Sequence, residues 1–177
     1  MLETLISSKT RIKLLIKFFL NSNNTAYLRN LEEEFGESTN GIRLELNKFE
    51  KAGFITSIFE GNKKIFTANT KHPLFADINR IVMKMMGVEY VVDYILERVG
   101  NLEEVYLVGK LAKGQDAEVI NIVLVGDNLD KVFLIEQIEK AEKKINKKIQ
   151  YIIYSSQEFN VDKIKEGHEN PLLLWTK

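Results

Sequence analysis

The stretch LRNLEEEFGESTNGIRLELNKFEKA, residues 28–52, has the hydrophobic spacing of two short helices joined at a glycine. Gly36 supplies the conformational freedom that a sharp turn needs, and Ser38 or Thr39 can cap the helix that follows. Two helices joined by so short a turn form a helix-turn-helix. The apolar residues at helical spacing are Leu28, Leu31 and Phe35 in the first helix and Ile42, Leu46 and Phe49 in the second.

The segments on either side extend this motif. Upstream, Ser7–Asn21 has apolar residues at three- and four-residue spacing, which predicts a helix before the pair. Downstream, Gly53 ends the second helix of the pair, and two strand-like runs, Phe54–Phe59 and Lys64–Ala68, enclose a turn. A hairpin directly after a helix-turn-helix is a wing, so the first part of the chain is predicted to be three helices followed by a wing.

The composition is that of a globular protein, and it excludes several kinds of site. The 177 residues are 45% hydrophobic and 28% charged, with 25 basic and 25 acidic side chains. Because there is no cysteine, a disulfide framework, a thiolate zinc site, an iron–sulfur cluster and a cysteine nucleophile are all excluded. No apolar run approaches the ~20 residues that span a bilayer, and the N-terminus shows no signal peptide, so a cytoplasmic protein is predicted.

The net charge of zero hides a difference between the two parts of the chain. Residues 1–72 carry 11 basic and 8 acidic side chains, whereas residues 73–177 carry 14 and 17. The positive excess at the front is a weak indication that this part meets a polyanion. The segment Thr67–Leu74, which contains Pro73, predicts a boundary between a domain of residues 1–74 and a domain of residues 75–177.

The first domain contains a series of short segments whose order and spacing carry information. They are SKTRIKLL (8–15), YLRNL (27–31), NGIR (40–43), EKAGF (50–54), GNKKIF (61–66) and NTKHPLF (69–75). Together they resemble the prokaryotic winged-helix transcriptional regulators of the ArsR-like kind. The resemblance implies that the third helix docks in the major groove of double-stranded DNA while the wing contacts the backbone.

That placement defines the predicted DNA-binding residues. Arginine and asparagine can read guanine and adenine through paired hydrogen bonds, and lysine offers a point charge to phosphate. Three glutamates on or beside the third helix, Glu37, Glu45 and Glu50, dilute its positive field. Winged helices also serve as protein–protein modules, and this alternative stays open. The predicted contact residues are Ser38, Thr39, Asn40, Arg43, Asn47, Lys63 and Lys64.

The second domain alternates helices and strands. Helices are predicted over Asp77–Met86, Val88–Val99 and Leu129–Ile145. Strands are predicted over Glu104–Val108, Glu118–Val125 and Lys148–Tyr154. The fold class is therefore α+β or α/β, with an N-terminal winged helix-turn-helix and a C-terminal mixed sheet with flanking helices.

An apolar stripe marks the start of the second domain. The stripe consists of Ile78, Val82, Met85 and Met86, and it belongs either to a core or to a dimer interface. A homodimer is the predicted assembly, because a two-fold axis would present two recognition helices to two DNA half-sites.

Three further segments carry a second resemblance. VYLVGKLAKG (105–114), INIVLVGD (120–127) and INKKIQYIIYSSQEF (145–159) are similar, in this order, to the first strand with its glycine turn, the second strand and the third strand of minimal nucleotidyltransferase domains. Some archaeal and bacterial regulators carry a winged helix fused to such a domain. The resemblance implies two carboxylates two residues apart on one strand, and a third on a later strand, that hold Mg²⁺ and nucleotide phosphates.

This sequence departs from that pattern at the metal-binding positions. With Gly126 and Asp127 as the register, a valine and an asparagine occupy the paired positions and a glutamine the third. None is an acid, so the chain is predicted not to be an enzyme, with no metal and no cofactor. It is predicted to be a transcriptional regulator whose second domain is an inactive module for oligomerisation or for sensing a small-molecule or nucleotide effector. The degenerate positions are Gly109, Lys110, Val119, Asn121 and Gln150.

A rival register pairs Asp116 with Glu118. It shifts the two acids toward the preceding loop and loses the match to the glycine after the strand. It stays open as the alternative of an active, Mg²⁺-dependent nucleotidyltransferase.

Overall fold

The computed structural model describes residues 6–96, 99–167 and 170–177. The chain divides into two compact units, one ending at Met85 and the next beginning at Met86. This division differs from the predicted boundary after residue 74, because the side-chain amide of Asn79 donates a hydrogen bond to the backbone oxygen of Phe19, 2.6 Å away in the first unit. The prediction about a signal peptide falls partly on residues 1–5, which lie outside the described residues.

Helices and a small sheet build the first unit. Its helices are α1 (Lys9–Leu15), α2 (Leu28–Phe35), α3 (Thr39–Lys51) and α4 (Phe75–Met86), and its strands are β1 (Thr25–Tyr27), β2 (Ile55–Glu60) and β3 (Lys63–Ala68). A π-helical turn, Ile16–Leu20, extends α1. The sheet has the order β1-β3-β2 and is antiparallel. The helix pair and the hairpin lie where the sequence predicts them, whereas β1 has only three residues and gives no alternating pattern.

The apolar faces of α2 and α3 form the core of this unit. Leu31 and Ile42 are fully buried, and Leu46 is 1% exposed. Gly36 ends α2 at φ 62°, in the left-handed region that a glycine enters at little cost. Because one face of α3 is buried in this way, its opposite face, with Arg43 and Asn47, is exposed.

The second unit is a four-stranded mixed sheet with helices. Its helices are α5 (Val88–Leu96), α6 (Gly109–Ala112), α7 (Lys131–Ile145) and α8 (Val161–Gly167), and its strands are β4 (Asn101–Val108), β5 (Val119–Asp127), β6 (Lys148–Tyr154) and β7 (Leu172–Thr176). The strand order is β6-β5-β4-β7, with β5 and β6 parallel and the other pairs antiparallel. The prediction of a mixed sheet with flanking helices is confirmed, and α7 is the crossover between the parallel strands.

The apolar stripe on α4 was predicted to belong either to a core or to a dimer interface, and its burial fits the core. Val82 is fully buried and Met86 is 5% exposed, so neither side chain is available to pair across a dimer axis. Ile81, which the stripe omitted, is 52% exposed. The helical repeat alone does not show which of two neighbouring stripes faces inward. None of the helices in the described ranges combines the length and the apolar character that crossing a bilayer requires.

Candidate nucleic-acid interface and second-unit cleft

The start of α3 is fixed by its cap. Ser38 Oγ accepts a hydrogen bond from the backbone N–H of Gly41 at 3.2 Å. The hydroxyl of Ser38 therefore caps the N-terminus of α3. Its role in DNA contact stays a prediction. Asn40 in the first turn is exposed, and Thr39 is half-buried.

A groove lies between α3 and the β2–β3 hairpin. Arg43 and Asn47 are one helical turn apart on the exposed face of α3, and both line this groove of about 530 Å³. Thr39, Lys63 and Lys64 line it as well. The fold thus brings most of the predicted contact residues together, although they come from segments about twenty residues apart. Ser38 and Asn40 are not part of the lining.

Both lysines of the hairpin have partners inside the unit. Lys64 Nζ lies 2.7 Å from Glu50 Oε2. Glu50 also accepts a hydrogen bond from the hydroxyl of Ser57 on β2. The hydrogen bonds from Lys64 and Ser57 hold the pKa of Glu50 below its ordinary value. Lys63 Nζ lies 4.7 Å above the ring centroid of Tyr27, a cation–π contact.

A second ion-pair network holds α3 against α1. Glu45 is only 8% exposed, and its carboxylate lies 2.9 Å from Arg11 Nε and 2.8 Å from Lys48 Nζ. The hydrogen bond from Arg11, followed by that from Lys48, lowers the pKa of Glu45. Glu37 is likewise paired, with Lys13 Nζ at 2.7 Å.

These pairings change the meaning of the acidic residues around α3. Each of the three glutamates that dilute the field of α3 in the sequence is matched by a cation in the structure. In contrast, no described residue forms an ion pair with Arg43, which is exposed. The charge of Arg43 therefore faces the groove, whose lining also contains one acid, Glu32.

The groove also contains residues that the sequence analysis missed. Arg29 lies in the first turn of α2, and its side chain is 82% exposed, 3.7 Å from Glu33. It lines the groove together with Tyr27 and Asn62. The placement of Tyr27 depends on β1, so its role could not be predicted without that strand. The exposed arginine at the start of the first helix of the pair is a signal that the sequence did offer.

In the second unit, a cleft lies over the strands β5 and β6. The parallel register sets Asn121 opposite Gln150, and the antiparallel register with β4 sets Val108 opposite Asn121. Asn121 and Gln150 line this cleft of about 420 Å³ together with Ile152. Gly109 has φ 72°, and a Cβ built on it would lie 3.1 Å from Asn121 Nδ2. The glycine therefore permits a close approach to the asparagine.

The other two degenerate positions are not part of this cleft. Lys110 is exposed on α6, and Val119 lines a separate cleft beside α7. A hard divalent cation needs charged oxygen ligands, and a valine, an asparagine and a glutamine do not supply them. The donor set at these three positions therefore does not fit Mg²⁺. Within the described ranges, no group of three or more His, Cys, Asp or Glu side chains could hold a metal ion.

The acids of the rival register lie elsewhere. Both precede β5, and Asp116 is 64% exposed with its carboxylate 3.0 Å from Lys147 Nζ. Glu118 is exposed and lines the cleft beside α7 with Glu139 and Glu142. Neither acid lines the cleft that holds Asn121 and Gln150.

Comparisons with known proteins give matches only at the level of structure. No protein-family model matches the chain, and no curated protein sequence matches it. A crystal structure of a mutant of the MntA-HpeT toxin-antitoxin matches with a TM-score of 0.39 and 14% identity, covering 50% of this chain and 73% of that one. A toxin-antitoxin with AMP-PNP matches with a TM-score of 0.39 and 15% identity, over the same shares of the two chains. A "putative nucleotidyltransferase" from Sulfolobus solfataricus matches with a TM-score of 0.36 and 22% identity, covering 54% of this chain and 83% of that one.

These matches contradict one prediction from the sequence. The chain was expected not to be an enzyme, whereas the solved structures that it matches include one described as a nucleotidyltransferase and one with AMP-PNP. The expectation rested on the missing acids at Val119, Asn121 and Gln150. Those substitutions argue against Mg²⁺ at three positions, and they do not describe the chemistry of the rest of the fold. The prediction that the chain is not an enzyme is therefore withdrawn. The mixed α+β fold, with a mixed four-stranded sheet in the second unit, is confirmed.

Proposed function

We propose that the first unit binds double-stranded DNA as a winged helix-turn-helix and that the protein is a transcriptional regulator. One observation carries this proposal. Arg43 and Asn47 of α3 and Lys63 of the hairpin, which are far apart in sequence, line a single groove.

The basic and amide side chains in the groove suit a nucleic acid, although its lining also includes Glu32 and apolar side chains. An α-helix fits the major groove, which is ~12 Å wide, and Arg43 and Asn47 carry the side chains best suited to guanine and adenine. Lys63 at the hairpin offers charge to a phosphate on the adjacent backbone. Arg29 at the start of α2 adds a second phosphate contact, because the first helix of such a pair crosses the backbone.

The experiment is a selection of genomic fragments on the purified full chain, followed by titration of a selected duplex at several salt concentrations. Two results would support the proposal: log Kd that rises linearly with log salt concentration, and a selected sequence motif that Arg43→Ala binds with lower specificity. Arg80→Ala is the matched control, because Arg80 is exposed on α4 and outside the groove. Absence of binding to any duplex would contradict the proposal and favour a protein-binding role.

A second candidate function is nucleotidyl transfer by the second unit. The observation that favours it is the pair of exposed acids, Asp116 and Glu118, two residues apart at the entrance to β5. The test is incubation of the full chain with labelled nucleoside triphosphate, in the presence of Mg²⁺, and a search for labelled product. Turnover that Asp116→Asn and Glu118→Gln abolish would support it. Glu139→Gln is the control, because Glu139 lines the same cleft as Glu118. Equal turnover in all variants would exclude this pair of acids.

The predicted partners remain part of this proposal. A homodimer would place two copies of α3 on two half-sites. Light scattering gives the molecular mass of the free protein and of its DNA complex, and so tests for the dimer. A small-molecule or nucleotide effector of the second unit is a further prediction. A change of thermal stability on adding a nucleotide would reveal such an effector.

A further inference from the structure

The hairpin beside α3 ends in an unusually exposed aromatic side chain. Phe59 on β2 is 75% exposed, the largest fraction among the large apolar side chains in the described part of the chain. Ile58 next to it is 58% exposed. Gly61 and Asn62 form the turn that follows, so both side chains lie at the tip of the hairpin.

The strand register decides which way Phe59 faces. Side chains alternate between the two faces of a strand, and Phe59 pairs with Lys64 while Ser57 pairs with Phe66. Phe59 therefore shares a face with Lys64 and Phe66, which line the groove beside α3. Ile58 pairs with Ile65 and lies on the opposite face of the hairpin.

The surroundings of Phe59 suit a polyanion with apolar bases. Lys64 lies directly across from Phe59 on the same face, whereas Lys63, one residue nearer the turn, pairs with Glu60 and lies on the opposite face. Glu50, the acid nearest to Lys64, is already engaged by that lysine. An exposed aromatic ring beside a lysine can stack on a base while the ammonium group lies near a phosphate.

We propose that Phe59 is an apolar wedge that enters the minor groove beside the site contacted by α3, partly unstacks one base step and bends the duplex. This inference rests on the proposed DNA-binding function and adds to it a readout of deformability that involves no base-edge hydrogen bond. Apolar side chains of architectural proteins act on DNA in this way, and pyrimidine–purine steps such as TA yield most readily. The wedge would make Phe59 a specificity-determining residue.

The test compares variants on one probe. The probe is a duplex of about 30 bp with a single central TA step between A·T pairs, a donor and acceptor dye at its ends, and 2-aminopurine at the step. Energy transfer between the dyes reports bending, and 2-aminopurine fluorescence reports unstacking. The proteins are the wild type, Phe59→Ser, Phe59→Leu and the matched control Ile58→Ser, which removes a similarly exposed apolar side chain from the other face.

The expected results separate a wedge from a general apolar surface. Wild type and Phe59→Leu bend the probe and raise the 2-aminopurine signal, whereas Phe59→Ser loses both signals and binds roughly tenfold more weakly. Ile58→Ser behaves as the wild type. Thermal unfolding checks that Phe59→Ser keeps its fold, which its exposure predicts.

Two kinds of failure can be told apart. If the wild type binds the duplex in a manner that depends on Arg43, but Phe59→Ser binds and bends it equally well, the wedge is refuted and DNA binding survives. The same holds if Ile58→Ser and Phe59→Ser lose equal affinity, because face and chemistry would then not matter. If the wild type does not bind any duplex, both proposals fall, and Phe59 is then a candidate contact for a protein partner.

Discussion

Lys64 Nζ on β3 lies 2.7 Å from Glu50 Oε2 on α3, so that an ion pair joins the hairpin to the helix that forms the other wall of the groove. Ser57 on β2 donates a hydrogen bond to the same carboxylate. One glutamate therefore connects α3 with both strands of the hairpin. The same glutamate is ion-paired with Lys64, which the sequence predicts to contact a DNA phosphate.

Glu50→Gln should strengthen DNA binding and make it more dependent on salt. The amide keeps a hydrogen-bond acceptor for Ser57 but releases the charge of Lys64 to a phosphate. One added phosphate contact steepens the slope of log K against log salt by about 0.9. Fluorescence anisotropy titrations between low and moderate salt measure the slope. Glu139→Gln in the second unit is the control for the change in net charge, and an unchanged slope in Glu50→Gln would show that Lys64 does not reach DNA.

Arg43→Ala and the double variant Lys63→Ala/Lys64→Ala should weaken DNA binding in different ways. Removing Arg43 should cost about 1–3 kcal/mol on the selected duplex and little on random DNA, because a base contact is lost. Removing both lysines should weaken binding to all duplexes and flatten the salt slope, because phosphate contacts carry no sequence information. Competition titrations with selected and random duplexes separate the two. A uniform loss in Arg43→Ala would reassign Arg43 to the backbone.

The local pattern of the sequence predicted much of this fold. The helical spacing of Leu31, Ile42 and Leu46 predicted their burial, and the strand Lys148–Tyr154 has the predicted bounds. The adjacency of Asn121 and Gln150 followed from the second resemblance, since only the pairing of β5 with β6 brings them together. Local pattern cannot give a contact between distant residues.

The parts that were missed depend on such contacts. The Glu50–Lys64 pair and the Lys63–Tyr27 contact each join separate elements, and the second requires the short strand β1. Phe59 has the same apolar character as the buried Phe66, and only the register and the end of the hairpin distinguish their environments. For the same reason the sequence left the stripe of Val82 open between a core and a dimer interface, because a helical repeat does not state which side is covered.

The stability of the protein should fall at acid pH through Glu45. The hydrogen bond from Arg11, with that from Lys48, makes the pKa of Glu45 lower in the folded than in the unfolded chain. Its stabilising contribution is therefore complete above the ordinary pKa of a glutamate, about 4.3, and is lost as the pH falls through the lower folded pKa. Glu45→Gln should lower stability by about 1 kcal/mol at neutral pH and have less effect in acid.

Unfolding in urea at several pH values measures this difference. Glu33→Gln is the matched control, because the side chain of Glu33 is 71% exposed and lies 3.7 Å from Arg29. Its stability should follow that of the wild type at each pH. A Glu45→Gln protein that stays equally destabilised from neutral to acid pH would assign the role of Glu45 to packing instead of charge.

Gly109→Ala should destabilise the second unit by about 1–2 kcal/mol, because a residue with a Cβ is strained at φ 72°. The new methyl group would also lie 3.1 Å from Asn121 Nδ2, so its cost should exceed that of Gly36→Ala, where φ is 62° and nothing lies within 4 Å. Gly167→Ala, with no neighbour in that range, should be close to neutral. Asn121→Ala should recover the part of the loss in Gly109→Ala that is due to the close approach, which a double-mutant cycle of urea unfolding measures. Equal losses in Gly109→Ala and Gly36→Ala, with no coupling to Asn121→Ala, would mean that backbone strain alone selects glycine at residue 109 and that the cleft beside it has room for a larger side chain.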